Sequence, residues 1–236
     1  MFCLGCPCRA LFCLKEPAPL RRNQRVRGEI QDYSKGRHFT YMTTAQSLTR
    51  KKRMDLPAAL LTGATTVLRP IAAEDLPVLQ RWDDDPEISA LMGQKYLEVN
   101  IRDWFHSLPT DRTCRAWAIT NQGGRLIGEL ELAQLNWRNG TVELRICIGE
   151  KDCWNHGYGT DAVRIAVRLA FEGLGLRAVY LRVFVANRRA IHVYRRIGFR
   201  AEAMLQPSRR RNDPSPVLLM NLTQERWHRL QAQSAS

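Results

Sequence analysis

The sequence predicts an α/β (α+β) chain: a mixed, mostly antiparallel sheet of about seven strands, flanked by helices in three layers. Three observations carry this. Val142, Leu144, Ile146 and Ile148 alternate with Glu143, Arg145 and Cys147, the period of a half-buried strand. The turn Gly157-Tyr158-Gly159-Thr160 follows, and then Ala162, Val163, Ala166, Val167, Leu169 and Ala170 recur at helical spacing. Residues 178–185 are rich in β-branched and aliphatic side chains and lead, through Asn187, into a helix over residues 188–196 that ends at Gly198.

Charge and cysteine divide the chain in two. The net charge is +13, of which residues 1–53 supply +9 (twelve Lys/Arg against three acids), leaving +4 for the rest. Residues 15–53 show no period and end in Arg50-Lys51-Lys52-Arg53. They read as a basic, disordered extension, with Met42 and Met54 as alternative starts and a folded domain over residues 54–236. The basic pI therefore rests on the extension, and no nucleic-acid partner is expected. Four of the seven cysteines (Cys3, Cys6, Cys8, Cys13) lie in this extension. Cys114, Cys147 and Cys153 have no paired spacing, which predicts a reducing, cytoplasmic setting. Cys3, Cys6 and Cys8 lack a second ligand cluster, so no metal is expected. No eighteen-residue apolar run predicts a membrane span.

Along the domain, Thr65–Pro70 reads as the first strand. Residues 73–82 and 86–92 read as helices on either side of an Asp83-Asp84-Asp85 cap, and residues 101–108 as a third helical piece. Residues 115–120 and 125–135 are strands joined by the Asn121–Gly124 turn, and a turn at 136–140 leads into the central strand. Gly173 and Gly175 stop the long helix. Residues 199–205 and 217–222 form a closing pair around a polar loop containing Arg209-Arg210-Arg211. A last short helix is capped by Thr223.

A glycine turn that opens a helix directly after a strand is an anion site. First-turn amides lack intrahelical partners, the helix dipole adds positive charge, and glycine admits a diphosphate to the backbone. Neither GxGxxG nor GK[ST] is present, so the turn is not a dinucleotide fingerprint or a P-loop.

Strand, Trp154-Asn155-His156-Gly157-Tyr158-Gly159-Thr160-Asp161-Ala162, helix, and then residues 179–199 with Asn187, Tyr194 and Gly198-Phe199: this order resembles the GCN5-related N-acetyltransferase (GNAT) superfamily. The likeness spans roughly residues 65–227. It is nearest the branch of acetyltransferases of ribosomal-protein N-termini and similar small-molecule amine acetyltransferases. The resemblance implies acetyl-CoA as co-substrate, no metal, and direct transfer to a primary amine of a small molecule or a protein N-terminus. It implies that Asn155, His156, Gly157, Tyr158, Gly159 and Thr160 hold the pyrophosphate. Freed backbone groups of Ile146, Cys147 and Ile148 hold the pantetheine and thioester, Asn187 contacts the cofactor, and Tyr194 protonates the leaving thiolate. Trp154 departs from the usual Gln or Arg and removes one polar contact. Homodimers are frequent in the family.

Other roles are argued on the residues. Glu143 is the candidate base or amine-orienting group, with Glu129 and Glu131 as rivals; its alternative is a strand carboxylate paired with Arg145. Tyr194 could instead simply pack its helix on the sheet, and Asn187 could be a plain cap. Arg188, Arg195 and Arg196 suit the 3′-phosphate of CoA or a solvated helix face. His192 and His106 read as surface residues, and no base is signalled beside Cys147 or Cys153 to make a nucleophile. Asp83–Asp85 with Glu129 and Glu131 lean toward a cationic small-molecule acceptor. Alternatives are acetylation of one ribosomal protein, or a non-catalytic acyl-CoA-binding module.

Overall fold

The computed structural model describes residues 61–92, 100–206 and 216–234. The basic extension, its cysteines, the boundary at residue 54 and the Arg209–Arg211 segment lie outside the described residues.

Eight strands form one sheet in the order β1-β2-β3-β4-β5-β6-β8-β7. They are β1 (Leu61–Thr62), β2 (Thr66–Pro70), β3 (Arg115–Asn121), β4 (Leu126–Asn136), β5 (Thr141–Ile148), β6 (Ala178–Phe184), β7 (Arg200–Leu205) and β8 (Val217–Thr223). Every pairing is antiparallel except β5 with β6. The additional strand is β1, whose two residues are too few to display a period.

The helices are α1 (Leu76–Asp84), α2 (Pro86–Met92), α3 (Ile101–Ser107), α4 (Tyr158–Arg168), α5 (Arg188–Ile197) and α6 (Gln224–Ser234). Asp85 caps α2: its Oδ1 accepts from the amides of Glu87 and Ile88 at 2.9 and 3.1 Å. Asn187 caps α5 by accepting from the Ala190 amide at 3.1 Å, and Thr223 caps α6 through the Arg226 amide at 3.3 Å. After Arg168, α4 widens into one π-turn over Leu169–Gly173 before Gly175 reverses the chain at φ 65°.

Alternation along β3 sorts the core into two layers. Trp117 and Ile119 join the larger cluster, which also holds apolar side chains of α4, α5 and α6; Ala118 joins the smaller one, with Leu79, Trp82, Ile88, Ile101 and Trp104 of α1–α3. With helices over both faces, β5 is not the half-buried strand its alternation predicts. Val142, Glu143 and Leu144 are all at most 3% exposed. Polar alternation here marks charges paired inside the protein rather than a wet face.

Two backbone features shape the centre. β5 and β6 pair only at Thr141–Ala178, Val142–Val179 and Glu143–Tyr180. Beyond that β5 continues against β4 and β6 against β8, so the two parallel strands splay from Leu144 onward. At the end of β5 the amides of Gly149 and Glu150 both donate to the Ile127 carbonyl, at 3.0 and 3.2 Å, the shared acceptor of a β-bulge. Gly149 is required there because a Cβ would lie 1.9 Å from the Trp82 ring. Trp82 is held by Glu150, which accepts its indole N–H at 2.9 Å.

Candidate active site

A cavity of about 400 Å³ opens at the splay. Its walls are the Ile146–Ile148 end of β5, the turn leading into α4, and one stripe of α5. Of the residues predicted for the cofactor, Ile146, Cys147, Ile148, Asn155, Gly157, Tyr158, Gly159, Thr160, Asn187 and Arg196 line this cavity, together with Tyr194. His156 does not line it: the side chain is exposed, with its ring 6.3 Å from that of Tyr158.

The anion turn is built from backbone. Asn155 and Gly157 adopt positive φ, 66° and 86°. Gly157 occupies the N-cap position of α4 with no capping side chain, and a Cβ there would meet nothing within 4 Å. The first-turn amides of α4 thus front a cradle open to a ligand. These features fit a diphosphate, as helix N-termini do generally.

Asp161, in that first turn, is turned away from the cradle. Its carboxylate accepts from the amides of Ala64, Thr65 and Thr66 at 3.1, 2.8 and 2.9 Å and from the Thr66 hydroxyl at 2.8 Å. Burial raises its pKa, and the hydrogen bonds from Thr65, Thr66 and Ala64 outweigh that, leaving it below the ordinary carboxylate value. This joint ties the start of β2 to the anion turn. Sequence reading missed it because its partners lie some 95 residues apart.

Trp154 also lines the cavity. Its indole N–H donates to the Ile148 carbonyl at 2.7 Å, and the Arg189 guanidinium lies 4.0 Å over its ring. Arg189 was not singled out from the sequence, where Arg188, Arg195 and Arg196 were; neither Arg188 nor Arg195 lines the cavity. A helix face decides this: residues 189, 193 and 196 share one stripe, which 188 and 195 do not. His192, read as a surface residue, is exposed and stands on the cavity rim.

Tyr194 is 8% exposed and packs edge-on to Phe199, ring centroids 5.9 Å apart. Burial, with a smaller contribution from Cys147, pushes its hydroxyl well above the ordinary value of 10.0. The phenol is therefore protonated at neutral pH. It also borders a second cavity of about 90 Å³, which shares Ile146, Asn187 and Tyr194 with the first and reaches Glu143, Arg145 and Arg182.

Glu143 is 2% exposed and pairs with Arg145, the alternative that the sequence offered for it. It faces this second cavity on the side of the sheet covered by α1–α3, and it accepts from Arg145 at 2.7 Å, with Arg182 at 3.5 Å. Glu131, its rival, lies 3.6 Å from Arg145 and lines neither cavity, and neither does Glu129. The acid-rich wall is not there: Asp85 caps α2 and pairs with Lys151 at 2.9 Å, and none of Asp83–Asp85 lines either cavity. Cys147 and Cys153 border the larger cavity as buried free thiols, and burial raises the Cys153 pKa. Among the described residues no group of three metal-ligating side chains converges.

Splayed parallel strands, an uncapped helix N-terminus at their mouth and a buried protonated tyrosine between them define a site for transferring an acyl group from a phosphate-bearing thioester. Residues 66–200 match the acetyltransferase (GNAT) domain family, and the chain belongs to that family. It is an acetyl-CoA-dependent N-acetyltransferase acting on a primary amine. Among its relatives, spermidine N(1)-acetyltransferase of Escherichia coli K12 is 29% identical over 140 residues, covering 58% of this chain and 74% of that one. The spermidine N(1)-acetyltransferase of Vibrio cholerae is 30% identical over 140 residues, covering 58% and 80%. A crystal structure of spermidine N-acetyltransferase from Vibrio cholerae with CoA and spermine superposes with a TM-score of 0.62 at 23% identity, covering 69% of this chain and 97% of that one. That likeness is one of fold. These matches establish the superfamily and do not single out the ribosomal-protein branch.

Proposed function

We propose that the acceptor is the primary amine of a small molecule, acetylated in a ternary complex between the two cavities described above. The observation that carries this is Tyr194, shared by both cavities at the splay of β5 and β6.

In this reading acetyl-CoA lies along the larger cavity. The amides of Tyr158, Gly159 and Thr160 receive its diphosphate, joined by Asn155, Arg196 and the guanidinium of Arg189. Backbone groups of Ile146 and Cys147, released from β6 by the splay, align the thioester, and Asn187 flanks it from the start of α5. Backbone donors fixed before the reaction stabilise charge developing on the carbonyl oxygen without reorganising. The Ile148 carbonyl is taken by Trp154, so Trp154 stands where a polar side chain would otherwise meet the cofactor.

The amine enters from the second cavity. Its nitrogen attacks the thioester carbonyl carbon, the C–N bond forms and the C–S bond breaks. The thiolate of CoA takes the proton of Tyr194, which is regained from solvent, and the amine loses its own proton to Glu143 or to water. Glu143 shares its carboxylate with Arg145 and Arg182, which fix its position, and its first role is to orient the amine. Domain limits of 54–236, a cytoplasmic setting and a homodimer complete the reading. The free thiols of Cys114, Cys147 and Cys153 support the reducing setting, and the dodecameric form of a Vibrio cholerae relative of similar fold supports self-association.

Calorimetric titration of acetyl-CoA into the full chain, followed by thiol release on addition of small primary amines, tests the proposal. Binding with amine-dependent thiol release supports it. Binding with release only on addition of peptides bearing a free N-terminus would refute the small-molecule reading.

A further inference from the structure

Behind the cavity wall, Glu143 is the end of a longer polar chain that runs back to a strained residue of β4. Leu130, Leu132 and Leu135 all join the larger core cluster, a step of two residues and then three. The pairing of β4 with β5 shifts between Ala133 and Asn136, and Gln134 takes a left-handed φ of 52° within that shift. For a residue with a Cβ this conformation is sparsely populated and persists where its surroundings fix it. The Gln134 side chain is met from β6, two strands away: the Tyr180 hydroxyl donates to its Oε1 at 3.0 Å.

Tyr180 is the register partner of Glu143 in the last pair before β5 and β6 splay. Burial, with a smaller push from Glu143, raises its pKa, so this phenol is protonated at neutral pH. A phenol has one proton to give. With that proton directed to Gln134, its oxygen is left to accept, and Arg182 is the side chain that bonds it. Arg182 is thereby shared. Its Nε stands 3.5 Å from Glu143 Oε1, beyond ordinary hydrogen-bond length, whereas Arg145 meets Oε2 at 2.7 Å. With buried Glu131, 3.6 Å from Arg145, the group holds two acids and two arginines. Glu143, Arg145 and Arg182 line the smaller cavity, and Tyr180 and Gln134 line neither cavity.

We infer that Tyr180 and Gln134 are positioning residues for the acceptor amine: they hold Arg182 back from Glu143, so that one oxygen of that carboxylate stays available to the amine. This rests on the acceptor side of the proposed function. A carboxylate oxygen accepts more than one hydrogen bond, and Oε1 is the one approached at long range. Without the Tyr180 hydroxyl, Arg182 loses the partner on its far side and closes on Oε1 in the shorter, charge-assisted geometry. The amine then competes with a guanidinium for the same oxygen. The effect falls on amine binding and spares both the chemical step and acetyl-CoA.

Tyr180→Phe keeps the ring and removes the hydroxyl. Gln134→Gly removes the acceptor at a φ that glycine adopts freely. Thiol release is measured on the full chain with acetyl-CoA and whichever of butan-1-amine, 1,4-diaminobutane and 4-aminobutanoate the wild type turns over fastest. The amine KM should rise about fivefold in each variant, the loss of one hydrogen bond. Both kcat and calorimetric affinity for acetyl-CoA should stay within about twofold of wild type, the pattern of lost substrate binding. In an Arg182→Gln background, Tyr180→Phe should shift the amine KM by less than about twofold, because no guanidinium remains to be held. A merely structural role lowers Tm and the active fraction and leaves the amine KM unmoved. An unchanged amine KM in both variants overturns the inference and leaves the proposed function standing, as does an equal rise with and without Arg182. If Tyr180→Phe does not fold, Gln134→Gly decides. A wild type that binds acetyl-CoA and turns over none of the three amines overturns the acceptor reading, and the inference with it.

Discussion

The guanidinium of Arg189 lies 4.0 Å over the ring of Trp154, whose indole N–H is bonded to the Ile148 carbonyl at 2.7 Å. This pairing supplies a cation to the anion turn from α5, where the segment before the turn carries an aromatic. Stacking fixes the planar fork of the arginine at little cost in side-chain freedom. Arg189→Ala is expected to weaken acetyl-CoA binding about tenfold, or ~1.4 kcal/mol. Binding of acetyl-pantetheine, which has no diphosphate, should be unchanged. Equal losses for both ligands in calorimetry would place Arg189 elsewhere.

Tyr194→Phe removes the proton donor and keeps the ring that packs on Phe199. The expected result is a kcat lower by roughly 100-fold, with acetyl-CoA affinity retained. The pH profile carries a second test. Because burial raises the Tyr194 hydroxyl above 10.0, the donor stays protonated throughout the range below that value. Wild-type kcat should therefore show no alkaline fall from tyrosine ionisation below pH 10. A fall centred near pH 8 would assign the proton to another group.

Gly157→Ala tests the turn. At φ 86° a side chain is strained, and a Cβ there would stand in open space beside the cavity that Gly157 lines. The backbone cost is about 1–2 kcal/mol, so the variant folds with a lowered Tm. Acetyl-CoA binding should weaken more than that strain alone accounts for. A variant with reduced Tm and unaltered affinity would show that the cradle is not the phosphate site.

Asp161 links acid stability to the joint between β2 and α4. Its folded pKa lies below the ordinary 3.8, so its contribution to stability is present above that value and is lost as pH falls through the lowered folded value. Asp161→Asn keeps an acceptor oxygen but cannot titrate. Urea midpoints measured from pH 6 to pH 2.5 should fall on acidification less in the variant than in wild type. Parallel curves would show that the joint does not contribute to the acid limb. Asp161→Ala leaves three amides without their acceptor and should cost about 2–4 kcal/mol.

Much of the site was legible because its parts are local. The anion turn is written in consecutive residues, 155–160, since backbone amides and positive φ do the work and glycine signals both. Asn187 and Tyr194 were legible for the same reason: a cap and a helix face are set by near neighbours. His156 failed because a turn faces its residues in different directions, and sequence does not say which. Glu143 was legible as an acid facing away from Val142 and Leu144, and Arg145 as its pair along β5, whereas Arg182 reaches it from a different strand, β6.

By itself the sequence determined the order of elements, the caps, the glycine turn and the tyrosine, because each depends on interactions within a few residues. Only the tertiary structure decided the splay of β5 from β6, the lock of Asp161 on β2, the stacking of Arg189 on Trp154 and the pairing of Glu143 with Arg182. Those depend on pairs brought together across 35 to 97 residues of chain, and their energies arise from desolvation and packing that no local pattern encodes.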